Sequence, residues 1–130
     1  MAYKCVAHLG GNEGEGSHSW EFDLPTVEEC LDQLFYNMNH EETTPLNARS
    51  MSVGDCASVS NMGKHVSLTR HFICLSVGWC EVTEHVLHKW MRHDWNRRML
   101  HPLVGVTDPL LALLHVQKMD AGFMRMGEKV

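Results

Sequence analysis

The sequence predicts an α+β fold: a small, bent antiparallel sheet of four or five strands, SH3-like or a partly open barrel. One helix packs on it and a helical pair follows at the C-terminal end. Three observations predict this. β-branched and aromatic residues gather in stretches bounded by Gly and Asn turns, the composition of strands. Apolar residues from Val27 to Met38 fall at helical spacing behind a capping signal. After Val82 the helical period returns.

Taken in order, Ala2 to Leu9 and Ser17 to Leu24 read as the first two strands. Trp20-Glu21-Phe22-Asp23-Leu24 alternates apolar and polar, as a half-buried strand does. The glycine-rich loop between them, residues 10–16, has the composition of a hairpin connection. It lacks the Gly-Lys-Ser/Thr ending of a phosphate cradle, and Glu13 and Glu15 would repel phosphate. It also lacks the alternating carboxylates of an EF-hand loop. Thr26 as N-cap with Glu29 three residues on makes a capping box, and early acidic residues suit the helix dipole. Val27, Cys30, Leu31, Leu34, Phe35 and Met38 form the face expected to pack on the sheet, leaving Glu28, Asp32 and Asn39 outward. Residues 40–48 are a polar connection containing Pro45.

The central β unit runs from Arg49 to Val82. Val53 to Ser60 reads as a strand, Asn61-Met62-Gly63-Lys64 as a turn, and Val66 to Val82 as a long apolar run. From His71 that run alternates too poorly to have a solvated face, so burial on both faces is expected. Gly78, beside Trp79, marks a bulge or sharp bend. In Ser52-Val53-Gly54-Asp55, turn chemistry has Gly54 supplying a φ closed to other residues and Asp55 accepting a local backbone hydrogen bond. A rival reading places Arg49, Gly54, Asp55 and Trp79 around a pocket for a small ligand or nucleic acid.

Thr83 can cap a helix running to about Leu100. Val86, Leu87, Trp90, Met91, Trp95 and Met99 form its apolar stripe; His85, His88, Lys89, Arg92, His93 and Arg97 lie opposite. Pro102 stops it, and Asp108-Pro109 opens a second helix. Leu110 to Met119 is apolar almost all round, which suits either a buried helix or a homodimer interface. Gly122 is placed to end it, and residues 123–130 are a Met-rich tail. One domain is expected over residues 1–130: hairpin and helix to 48, the β unit at 49–82, C-terminal helices at 83–122, then the tail.

Charge divides unevenly. Residues 1–48 carry nine acidic side chains and one lysine, a net −8, while residues 49–130 carry ten basic and seven acidic, a net +3. An acidic half can steer the chain to a basic partner surface, although a solvated surface has the same composition. A dedicated nucleic-acid binder would be strongly basic, so that partner is disfavoured. No apolar run is long enough to span a membrane, and the start lacks a signal peptide's pattern. Five cysteines without a CxxC pair argue against a secreted disulfide framework, so a cytoplasmic protein is expected. His65, His71, Cys74 and Cys80 could be drawn toward one zinc, yet their spacing matches no common module. No metal, cofactor or catalytic motif is predicted, and no enzymatic activity.

RSMSVGD followed by HFICLSVGWCEV resembles the YodL-like segment of small phage and mobile-element proteins. The matching positions are Arg49, Ser50, Ser52, Val53, Gly54 and Asp55, then Phe72, Cys74, Ser76, Val77, Gly78 and Trp79. The resemblance covers 34 of 130 residues, with a weaker likeness at Glu15 to Trp20. After Asp55 the usual bulky aliphatics are replaced by Cys56-Ala57. The family carries no established activity. It implies a phage or mobile-element setting more than a mechanism. Together with the absence of catalytic motifs and the charge asymmetry, the expectation is an accessory protein that binds a host macromolecule, a protein before a nucleic acid, to inhibit host defence or redirect a host enzyme in the host cytoplasm. Glu13, Glu15, Asp55, Arg92 and Arg97 are the expected contact residues on charge and turn grounds.

Overall fold

Alternation along Ala2–Leu9 (β1) turns Cys5, Ala7 and Leu9 into the interior, and Gly16–Asp23 (β2) folds back on it with Leu9 opposite Gly16. The computed structural model describes residues 2–9, 16–45, 50–61, 68–76 and 78–92, with two helical positions, Leu111 and Leu114. Three further strands follow: Cys56–Asn61 (β3), Thr69–Cys74 (β4) and Trp79–Val82 (β5). They join one open antiparallel sheet in the order β2-β1-β3-β4-β5, with β2 and β5 as its edges. The fold is α+β with a small open sheet. Among the described residues the two edge strands do not pair, so the sheet does not close into a barrel.

The expected long strand from Val66 to Val82 divides in two. Gly78 adopts φ of +82°, a conformation L-residues rarely take, and its carbonyl accepts from Leu75 N at 3.0 Å. That turn sends the chain back as β5, with Cys74 opposite Trp79. Of the two expected readings Gly78 is the sharp bend, as a hairpin turn residue, and not a bulge inside one strand. Asn61, expected in a turn, is instead the last residue of β3 and lies opposite Tyr3.

Val27–Asn39 (α1) starts where its cap predicts: Thr26 Oγ1 accepts from Glu29 N at 3.2 Å. Its C-terminal carbonyls are met by threonine hydroxyls, Thr43 donating to Asn37 O at 2.9 Å and Thr44 to His40 O at 2.8 Å. Because β1 is antiparallel to both neighbours, β2 and β3 run the same way and α1 connects them across β1. Leu31, Leu34 and Met38 then pack on Cys5, Ala57, Val59 and Phe72 to form the first core.

The other face carries a second core. Glu84–Arg92 (α2) is capped by Thr83, whose hydroxyl accepts from Val86 N at 3.3 Å. Leu87 and Trp90 bury against Cys56, Ile73, Cys80 and Val82. Phe72, Ile73 and Cys74 are all buried, as the weak alternation from His71 predicts for a strand covered on both faces. No helix among the described residues is long and apolar enough to cross a membrane. Leu111 and Leu114 are helical and about half exposed; the rest of the Leu110–Met119 helix, Pro102, the Asp108-Pro109 start and the 123–130 tail lie outside the described residues.

Trp90 fixes α2 in place twice, by its buried ring and by the indole N–H donating to Gly54 O at 2.8 Å. Trp90→Ala is expected to cost about 3–5 kcal/mol in urea unfolding. Trp90→Phe restores most of the volume but removes that donor from a buried carbonyl, and should cost about 1–3 kcal/mol.

Candidate functional site

The phase of α1 decides what the chain shows to solvent. Leu34 and Met38 turn inward, so Phe35 and Tyr36, one and two residues further round, cannot follow them. They stand 40% and 51% exposed. Beside them the Gly78 turn begins β5 at Trp79, whose ring meets Phe35 edge-to-face at 6.4 Å and 85°. Tyr36 is stacked on His40 at 4.7 Å. Between α1 and the β4–β5 turn lies a groove of about 460 Å³, within the size range of ligand sites. Asp32, Asn39, Leu75 and Ser76 complete its lining.

Among the described residues of the predicted ligand set, Trp79 is the one that lines this groove. Gly54 and Asp55 do not. Asp55 is fully buried, which removes it as a surface contact. Its carboxylate accepts from Ser52 N at 2.8 Å, and its own N–H donates to Ser52 O at 3.0 Å, closing a four-residue turn. Gly54, at φ of +91°, occupies the third position, where a type II turn requires positive φ. Arg92 is the last residue of α2. Glu13, Glu15, Arg49 and Arg97 lie outside the described residues.

A second constellation crosses the opposite face of the sheet. Ser58 Oγ is 2.8 Å from His71 Nδ1 and 3.0 Å from His8 Nε2, and His8 Nδ1 is 3.0 Å from Ser17 Oγ. Strand register brings these four together from β2, β1, β3 and β4. Sequence spacing could not show it, because Ser17 and His71 meet only through pairing. Burial lowers the pKa of His8, helped by His71 and His88. Burial likewise lowers His71, against a smaller upward pull from Glu84.

The suggested zinc set does not converge. Cys74 follows His71 by three positions, so the pleat points them to opposite faces, and His65 lies outside the described residues. Among the described residues no group of three His, Cys, Asp or Glu could hold a metal ion. All five cysteines are buried thiols. Burial pushes Cys5 and Cys74 up to about 12 and Cys80 to about 11, so these three are protonated at neutral pH and poor nucleophiles. At the far end of β5, Arg70 makes a two-bond ion pair with Glu81, at 2.9 and 2.7 Å. This pair lines a more polar cavity with Thr69, His71 and Glu84.

With known protein families, characterised proteins and solved structures the chain shares no match.

The histidine line makes stability depend on pH. Both rings bind protons less readily folded than unfolded, since their folded pKa values lie below 6.5. Their contribution is complete above that value and is lost as pH falls through it toward the folded values. Melting temperature should therefore drop between about pH 7 and about pH 5, and His8→Gln should flatten the drop.

Proposed function

We propose that this chain is a non-enzymatic binding protein that acts by holding a partner protein, with the α1/β4–β5 groove as its contact site. The observation that carries this is the gathering of Phe35 and Tyr36, both exposed, with the half-buried Trp79 around one cavity. Aromatic rings gathered on a surface are what protein interfaces use as anchors. Nothing in the packing of either core requires Phe35 or Tyr36 to be aromatic. The resemblance to YodL-like segments supports a phage or mobile-element accessory protein whose partner belongs to the host. Inhibition of a host defence or redirection of a host enzyme is the corresponding role. Asp32 in the groove's lining works against a nucleic-acid partner, whose phosphates it would repel.

The groove's volume also suits a small ligand, the second reading. A ligand that binds only the folded state raises the melting temperature, so a thermal-shift screen separates the two.

The decisive experiment is capture from host lysate on the immobilised chain, with a Tyr36→Ser/Trp79→Ser variant of verified fold alongside. One stoichiometric host protein retained by the parent chain and lost by the variant is the expected outcome. A nuclease-sensitive mixture would replace the protein partner with nucleic acid. No partner, or one retained equally by the variant, would overturn the reading.

A further inference from the structure

We infer that the groove recognises a cationic side chain, that of a lysine on the partner protein, held against the aromatic rings with Asp32 as its counter-charge. This rests on the protein-binding reading above and specifies its chemistry. Three independent features of the groove converge on it.

The rings come first. Phe35 and Trp79 meet edge-to-face, at 85° with centroids 6.4 Å apart, and do not form a flat stack that would cover a face of each ring. The π face of an aromatic ring is its negative side, and an ammonium group is attracted to it. Tyr36 lines the same space, with His40 lying against it. The fold already uses this chemistry once on the same face of the sheet, where the Arg70 guanidinium lies 5.3 Å from the Phe72 ring centroid.

The carboxylate comes second. Asp32 lines the groove from α1, one turn before Tyr36, and is exposed. Among the described residues it has no ion pair and no hydrogen bond. Arg70, by contrast, is committed to Glu81 through two bonds and is not available to neutralise it.

The surrounding field comes third. Glu28 and Glu29 precede Asp32 on α1, Glu41 and Glu42 follow His40, and no Lys or Arg occurs between residues 5 and 48. Such a field attracts a cation and raises its encounter rate with the groove. An apolar anchor alone would have no use for it, and an anion would be repelled.

A panel of otherwise identical ten-residue peptides tests this, with lysine, trimethyl-lysine, norleucine or glutamate at one central position. Binding is followed through the Trp79 indole N–H signal in proton–nitrogen NMR spectra of the full chain. Lysine and trimethyl-lysine peptides should shift that signal on titration. Norleucine, which keeps the alkyl length without the charge, should bind about tenfold more weakly, the scale of a desolvated cation–π contact plus a counter-charge. Glutamate should not bind. Asp32→Asn, at an exposed position with no partner to lose, should weaken the lysine peptide several-fold and leave norleucine unchanged. Trp79→Leu, which removes the reporter and is therefore followed by titration calorimetry, should abolish binding of both cationic peptides. Norleucine binding as well as lysine, or Asp32→Asn without effect on lysine, would overturn the cation assignment while leaving an apolar protein-binding groove. If no peptide moves the Trp79 signal, the lysine assignment fails. The host-capture experiment then decides separately whether the binding reading fails with it.

Discussion

Three parts of the chain meet on the backbone of Gly54 and Asp55. Gly54 N–H donates to Cys74 O at 2.9 Å, Cys74 N–H to Asp55 O at 2.8 Å, and the Trp90 indole to Gly54 O at 2.8 Å. The turn before β3, the end of β4 and the second helix are therefore held by consecutive peptide groups. A side chain at Gly54 would strain the φ of +91° that aims these groups. Burial makes each bond count: an unpaired backbone group in this environment costs about 1–3 kcal/mol. The Asp55 carboxylate then serves the turn and not the surface, and its negative charge adds to burial in keeping the Cys74 thiol protonated.

Holding the end of β4 there also shapes what is exposed. β4 stops at Cys74, Gly78 reverses the chain, and β5 has only four residues before Thr83 caps α2. Meanwhile α1 lies over β1 and β3, well inside the sheet's far edge. The margin between α1 and the β4–β5 turn is thus left with no covering element among the described residues. Phe35 and Trp79 fill part of it against each other, and the remainder is the groove.

Much of this architecture was legible from local chemistry. The β1–β2 hairpin, the Thr26 and Thr83 caps, the tight turn at Gly54 and the two-faced burial of β4 each follow from residues within a few positions of one another. What was not legible depended on pairing or on helical phase. Phe35 satisfies the inward spacing of α1 on paper, but Leu34 and Met38 set the phase of the buried face and leave Phe35 at its margin, where it meets Trp79 instead. The run to Val82 has strand composition throughout, and only the positive φ of Gly78 shows that it is two strands. Of the described residues of the predicted pocket, Trp79 lines the groove and Gly54 and Asp55 do not. Trp79 meets α1 residues some forty positions earlier, whereas Gly54 and Asp55 are consumed by the turn. The Ser17–His8–Ser58–His71 line was invisible for the same reason, each member coming from a different strand.

The two polar or aromatic constellations on opposite faces differ in what they leave to be done. Along the histidine line, each ring nitrogen next to Ser58 or Ser17 is already within hydrogen-bond distance of a hydroxyl, and Ser58 is buried. A ligand there would have to replace bonds the protein has made for itself, so the line is best understood as a way to satisfy polar groups on a partly covered sheet face. In the groove the balance is reversed. Phe35, Tyr36 and Asp32 keep much of their surface in water, and covering them would release that water without breaking any internal bond of Asp32. Association is favoured where apolar surface is buried and a charge gains a partner it lacked. That asymmetry, more than cavity size, is what supports the proposed contact at the groove over one at the histidine line.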